Sequence, residues 1–248
     1  MPRKQQKYSA TITVNDMQLP VEVVMEHRNG HRYSVTGKRI GMRLPLNLSA
    51  QDVHEHLKEL ERHVAKWAAK RATLLAPFIP KAYNSGDLLQ VGQRRYILDI
   101  VEEERGSHTG KLIGNTIALR LSDRSTPANK VKAIKTLLSR IVAGDFKPEI
   151  EQRVMQVNRS TFNRTIKGIF LKYNHSNWGS CSHNGNINLS TRLLFAPPDV
   201  QDYVILHELA HLVELNHSDR FWTLVEMYMP DYREKEQWLN QYGRTCDF

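Results

Sequence analysis

Apolar and polar residues alternate through SATITVNDMQLPVEVVMEH, residues 9–27, on either side of Asn15-Asp16. A period of two with a two-residue polar break predicts a β-hairpin. RYSVTGKRIGMRLP continues the alternation, with Gly37 and Gly41 as breaks. At Ser49 the period changes: Val53, Leu57, Leu60, Val64 and Trp67 recur at steps of three and four, one apolar helix face, and Asp52 stands where a capping box needs its acid. SGDLLQVGQRRYILDIVEEE and KLIGNTIALRLSD then predict two or three further strands. Thr126 as cap, Pro127 at the first helical position and Gly144 as stop delimit a helix, and a second helix runs from about Pro148 to Asn158. TIKGIFLKY reads as a strand, and NWGSCSHNGNINLS as two short strands around an Asn184-Gly185 turn. A last long helix starts at Pro197-Pro198-Asp199 and is expected to reach Glu214. The class is α+β: a mostly β region over 1–125 with one long helix near 50–72, then a second domain over 126–248. No internal repeat or low-complexity segment is visible.

Chemistry concentrates in the last helix, YVILHELAHLVELNHSDRFW, residues 203–222. His207 and His211 lie four apart, so on a helix their rings point the same way one turn apart. Two imidazoles so placed can share one zinc ion, with Glu208 beside them as general base toward a water on the metal. Burying three imidazoles and a carboxylate with no metal between them would be costly. A third protein ligand is needed. His217, six residues after His211, reaches the same point only if the helix ends between them, with Asn216 supplying the break and Ser218 capping the next helix. A downstream carboxylate, Glu226, Glu234 or Glu236, is the other way to complete such a site. Metzincin spacing matches His207, His211 and His217, but Glu214 stands where that class has glycine.

NWGSCSHNGNINLSTRLLFAPPDVQDYVILHELAHLVELNHSDRFW and the later MPDYREKEQWL resemble the YgjP-like metallopeptidase family, a zincin family related to SprT and Spartan-type proteases. The resemblance extends weakly over most of the chain. It implies zinc held by His207, His211 and His217, Glu208 as general base, and a minimal zincin core over 126–248. Asn177 departs from the basic residue usual before Trp-Gly in that family.

Other residues are weighed against plainer roles. Tyr232 is the candidate donor to a developing oxyanion, since it follows the third ligand by one helix and a turn; a core tyrosine is its alternative. Trp178 is expected beneath the active helix, Cys181 as a small buried hydrophobe and His183 as a solvated turn residue. Phe221, Trp222, Leu224, Val225 and Tyr228 read as helix core.

Net charge is +9, with the excess almost wholly before residue 130, which suits polyanions including nucleic acid. Two cysteines, Cys181 and Cys246, make no disulfide framework and predict a reducing, cytoplasmic setting. No apolar run reaches the ~18 residues of a membrane span, and no apolar core follows the basic N-terminus as in a secretory signal. The leading expectation is a zinc peptidase acting on peptide or protein. The same metal and glutamate also suit a nucleotide phosphoanhydride, or a nucleic-acid-associated protease of Spartan type. A peptidase needs an open groove along an edge strand; a nucleotide hydrolase needs Lys or Arg lining the metal pocket.

Overall fold

A computed structural model describes residues 5–36, 39–71, 73–79 and 81–248, so the expected break at Gly37 lies outside the described residues. The chain forms two compact units, 1–80 and 81–248.

In the first unit, β1 (Gln6–Val14) and β2 (Met17–Glu26) form the expected hairpin. Asn15 and Asp16 both carry positive φ, 50° and 61°, which a two-residue hairpin turn of this twist requires and which Asn and Asp tolerate. β3 (Arg32–Thr36) and β4 (Arg39–Pro45) complete a sheet of order β1-β2-β4-β3, in which β2 and β4 are parallel. Gly41 lies inside β4 and breaks nothing. Helix α1 (Ala50–Lys70) starts from the Ser49–Asp52 capping box, with both reciprocal hydrogen bonds made. Its Val53, Leu60 and Val64 bury against Ile12, Leu19, Val21, Ile40 and Met42 of the sheet. Each such side chain stabilises by roughly 1.5–3 kcal/mol.

In the second unit, β5 (Leu88–Val91), β6 (Arg94–Glu103), β7 (Thr109–Ile113) and β8 (Thr116–Ser122) form a sheet of order β5-β6-β8-β7, with β6 and β8 parallel. This is the topology of the first sheet over again, again followed by a long helix. The repeat is invisible in the residues because strand pairing constrains alternation and not identity. These strands share one core with everything after them: Leu98, Leu119 and Leu121 belong to the same buried cluster as Leu138, Leu189, Ile205 and Phe221. The compact units therefore divide at 80/81, whereas the sequence placed the boundary at 125, where the texture changes from strand to helix.

Helix α2 (Pro127–Ser160) is a single element capped by Thr126, not the two helices expected around Gly144 and Pro148. A proline ring collides with the carbonyl of the residue four positions earlier, here Gly144, yet the helix continues past it. The buried positions Ile134, Leu138, Val142, Phe146, Ile150 and Val154 continue in step across Pro148. Arg94 clamps the region by pairing with Asp145 and Glu149. Packing outweighs local propensity at this point.

Strands β9 (Gly168–Lys172), β10 (Gly179–Cys181) and β11 (Asn186–Ser190) make a mixed sheet of order β10-β11-β9, with β10 at an edge. Gly185 takes positive φ in the β10–β11 turn, as expected. Helices α3 (Pro198–Ala210), α4 (Asp219–Tyr228) and α5 (Tyr232–Tyr242) follow, and α3 packs between α2, β10, α4 and α5. Among the described residues no helix is long and apolar enough to cross a membrane.

Candidate metal centre

Helix α3 is buried almost all round: Val200, Tyr203, Val204, Ile205, Leu206 and Leu209 are core, and Glu208 is 5% exposed. His207 and His211 are partly buried on the side facing α4. The helix ends at Ala210, earlier than the expected Glu214. His211 is its C-cap and keeps helical dihedrals, so the one-turn spacing of the two rings survives. The final carbonyls are satisfied by a tightened turn: Leu212 N–H donates to Leu209, and Val213 and Glu214 N–H both donate to Ala210. The chain thus reverses before Asn216, which takes no positive φ. The break expected at Asn216 happens one turn upstream. Ser218 caps α4 by accepting from Phe221 N–H, as expected.

The reversal brings His217 back to the helix. Its Nε2 lies 3.0 Å from Nε2 of His207, and one ring nitrogen from each of His207, His211 and His217 falls within 4.8 Å of the others. Nδ1 of His211 lies 3.1 Å from the Glu214 carbonyl, which leaves its Nε2 for the cluster. Phe221, fully buried, holds all three rings: its centroid is 4.9, 4.5 and 4.8 Å from those of His207, His211 and His217. Trp222 stacks on His217 at 5.7 Å and on Tyr232 at 5.3 Å. Sequence reading gave Phe221 and Trp222 no part in the site; a ring at helical spacing looks the same whether it supports core or ligands.

Glu208 points to the other side of the cluster, against β10. An added Cβ at Gly179 would lie 2.6 Å from its Cγ and Oε1, so the carboxyl occupies the space a side chain there would take. Burial raises the Glu208 pKa to about 8, while a hydrogen bond from the Cys181 N–H acts to lower it. Burial, then the charges of His211 and His217, lowers His207 to about 4, and burial also lowers His211. The thiol of Cys181 is raised to about 11 by burial and then by Glu208, which makes it inert; it is partly buried rather than fully enclosed.

Three imidazole nitrogens converging beside a carboxyl are the donor set a divalent ion needs. The residues fit a metal ion. No carboxylate joins the cluster among the described residues, so Glu226, Glu234 and Glu236 are not in the ligand position.

A cavity of about 520 Å³ opens over this cluster. Its walls include Asn177, Trp178, Tyr203, Leu215, Glu236 and Asn240, and no Lys or Arg among the described residues. Tyr232 is not in that wall. It is 5% exposed, stacked between Trp222 and Tyr203, with its hydroxyl accepting from Arg233 Nε at 3.2 Å. The expected oxyanion donor is a core tyrosine, because the α4–α5 turn rotates it inward. Tyr203, one turn before His207 and equally buried, is the tyrosine that lines the cavity, and burial, then the Glu236 charge, raises its pKa. Trp178 packs on the core and lines the cavity, with the Arg192 guanidinium 4.6 Å over its ring. His183 is exposed in the hairpin turn, away from the cavity wall. Four of the basic residues from Lys130 to Lys167 are paired, Lys130 with Glu102, Lys135 with Asp247, Lys147 with Glu151 and Arg153 with Asp202.

A histidine cluster with a carboxylate beside it, at the foot of an open cavity and next to an edge strand, is the arrangement of a metallopeptidase. The chain belongs to the YgjP-like family, whose metallopeptidase domain matches residues 31–242. Two solved metallopeptidase zymogens are similar to part of it. Abylysin of Pyrococcus abyssi is 22% identical, with 38% of this chain and 96% of that one covered and a TM-score of 0.35. Jannalysin of Methanocaldococcus jannaschii is 24% identical, with 37% and 94% covered and a TM-score of 0.34. No curated protein matches the chain.

Proposed function

We propose that this protein is a zinc-dependent peptidase in which His207, His211 and His217 hold the metal and Glu208 is the general base. The observation that carries the reading is the convergence of the three ring nitrogens within 4.8 Å beside a buried glutamate. A bound zinc ion supplies Lewis acidity, lowering the pKa of a water and polarising the scissile carbonyl.

The residues of the chain do the rest. The Glu214 carbonyl fixes the tautomer of His211, and Phe221 sets the pitch of all three rings. Glu208, held by the Cys181 N–H and seated against Gly179, accepts the proton of the attacking water and delivers it to the departing amine. The edge of β10 offers backbone groups to an extended peptide lying across the cavity. Tyr203 replaces Tyr232 as the candidate donor to the developing oxyanion. Absence of Lys and Arg from the described cavity wall favours peptide over a nucleotide polyphosphate, whose charge would have no partner there.

The test is cleavage of a mixed peptide library by zinc-loaded protein, with the Glu208→Gln variant and a nucleoside triphosphate panel alongside. Peptide cleavage by the native chain, abolished in the variant that still holds metal, is the expected result. Triphosphate hydrolysis without peptide cleavage would overturn the reading.

A further inference from the structure

The cavity wall carries one carboxylate besides Glu208. Glu236 projects from α5, is exposed, and lines the same space as Tyr203 and the histidines. It makes no hydrogen bond or ion pair among the described residues, although cations are close in sequence and space. Each of these is committed elsewhere. Lys235 sits 2.9 Å from Asp199 and 3.0 Å from Asp231. Arg233 donates to the Tyr232 hydroxyl, and its charge is felt by Glu226 as well as by Glu236, with no ion pair formed to either. Arg192 donates to the carbonyls of His175, Gly243 and Cys246 while its guanidinium covers Trp178.

The side chains of Asn177, Ser180 and Asn240 around the opening are neutral. A chain with net charge +9 therefore presents, at this cavity, a wall that carries carboxylates and no Lys or Arg among the described residues. Charge in a concave site with low-dielectric walls acts more strongly than on an open surface. The aromatic ring of Trp178 and the exposed Leu215 line the same cavity and can cover the alkyl stem of a long cationic side chain.

We infer that Glu236 is a specificity determinant, selecting substrates that place a cationic nitrogen beside α5 when the scissile bond lies over the histidine cluster. The inference rests on the peptidase reading and names the substrate class for the same site. The nitrogen has two sources, a Lys or Arg side chain or the free α-amino group of a short peptide. Glu236 is not assigned to metal or to proton transfer.

The experiment uses full-length zinc-loaded protein and matched fluorogenic peptides. One series varies a single position through Arg, Lys, citrulline and Glu; a second compares free and acetylated N-termini. The readout is the ratio of kcat/KM for each cationic peptide to its neutral isostere, in native protein and in Glu236→Gln, Glu236→Asp and Glu236→Lys. The native ratio is expected to be ~2–5, the scale of one partly exposed ion pair, and to fall with added salt. It should approach one in Glu236→Gln, persist in Glu236→Asp and invert toward the Glu peptide in Glu236→Lys. A preference in the side-chain series identifies Lys or Arg as the source; a preference confined to free N-termini identifies the α-amine. A native ratio near one, or an unchanged ratio in Glu236→Gln, overturns the inference. The same peptides are also titrated by fluorescence anisotropy onto Glu208→Gln and the Glu208→Gln/Glu236→Gln double variant. If no peptide is cleaved yet cationic peptides bind in a Glu236-dependent way, the inference holds and the peptidase reading falls. Equal binding of cationic and neutral peptides sinks the inference whatever the activity.

Discussion

Gly179 and Glu208 occupy each other's space: a Cβ on the glycine would stand 2.6 Å from both Cγ and Oε1 of the glutamate. The glycine is required by this contact and not by backbone conformation, since its φ is not positive. Gly179→Ala should push the carboxyl out of line with the metal site. The expected outcome is retained zinc, a kcat reduced about 10-fold or more, and a smaller change in KM, measured by steady-state kinetics beside metal analysis. Full activity in the alanine variant would show that the carboxyl has room to move without consequence.

Metal stoichiometry of purified protein should be near one zinc per chain. His211→Ala and His217→Ala should each lose it, while Glu208→Gln keeps it and loses hydrolysis. Zinc should raise the thermal midpoint of native protein and of Glu208→Gln alike, since an ion that binds only the folded state stabilises it. A zinc-replete His217→Ala protein would remove His217 from the ligand set.

Phe221 touches all three histidine rings and is fully buried. Phe221→Ala should cost about 3–5 kcal/mol of stability through the cavity it leaves. It should also weaken zinc binding by about 10–100-fold, the usual effect of losing a group that orients ligands. Phe221→Leu should recover most of the stability. Competition with a chromogenic chelator measures the affinity, and an unchanged value in Phe221→Ala would make the ring structural only.

Asp247 carries a pH-dependent share of stability. Burial acts to raise its pKa, but hydrogen bonds from Lys135 (2.7 Å) and Tyr173, with the charges of Lys135 and Lys81, bring it below the ordinary value. A carboxyl whose pKa is depressed on folding stabilises above its unfolded value, about 3.9, and that contribution is lost as pH falls through the lower folded value. Asp247→Asn should therefore cost about 3 kcal/mol near neutrality, shrinking as pH drops below about 4. Denaturant titrations at pH 7 and pH 3 compare the two, and a pH-independent difference would place the effect in packing.

Gly144 has open space where a Cβ would go. Since it lies in the interior of α2, Gly144→Ala should stabilise by about 0.5–1 kcal/mol. Destabilisation would show instead that glycine is needed to accommodate the Pro148 ring.

What the residues alone determined is whatever is settled within a few positions. The Asn15-Asp16 and Gly185 turns, the Ser49–Asp52 box, the Thr126 and Ser218 caps and the His207–Glu208–His211 spacing were all legible, because each depends on neighbours in sequence or one helical turn away. That His217 would join the other two histidines was legible as well, although the reversal that delivers it comes at Ala210 and not at Asn216. What only tertiary structure decided depends on partners far along the chain. The α2 helix runs through Gly144 and Pro148 because buried faces on both sides of the proline share one core. Tyr232 turns inward to Trp222 while Tyr203 and Glu236 reach the cavity, a choice made by how α5 lies on α3. Gly179 meets Glu208 across 29 positions of sequence. No periodicity encodes that meeting; it exists only once β10 is packed against α3.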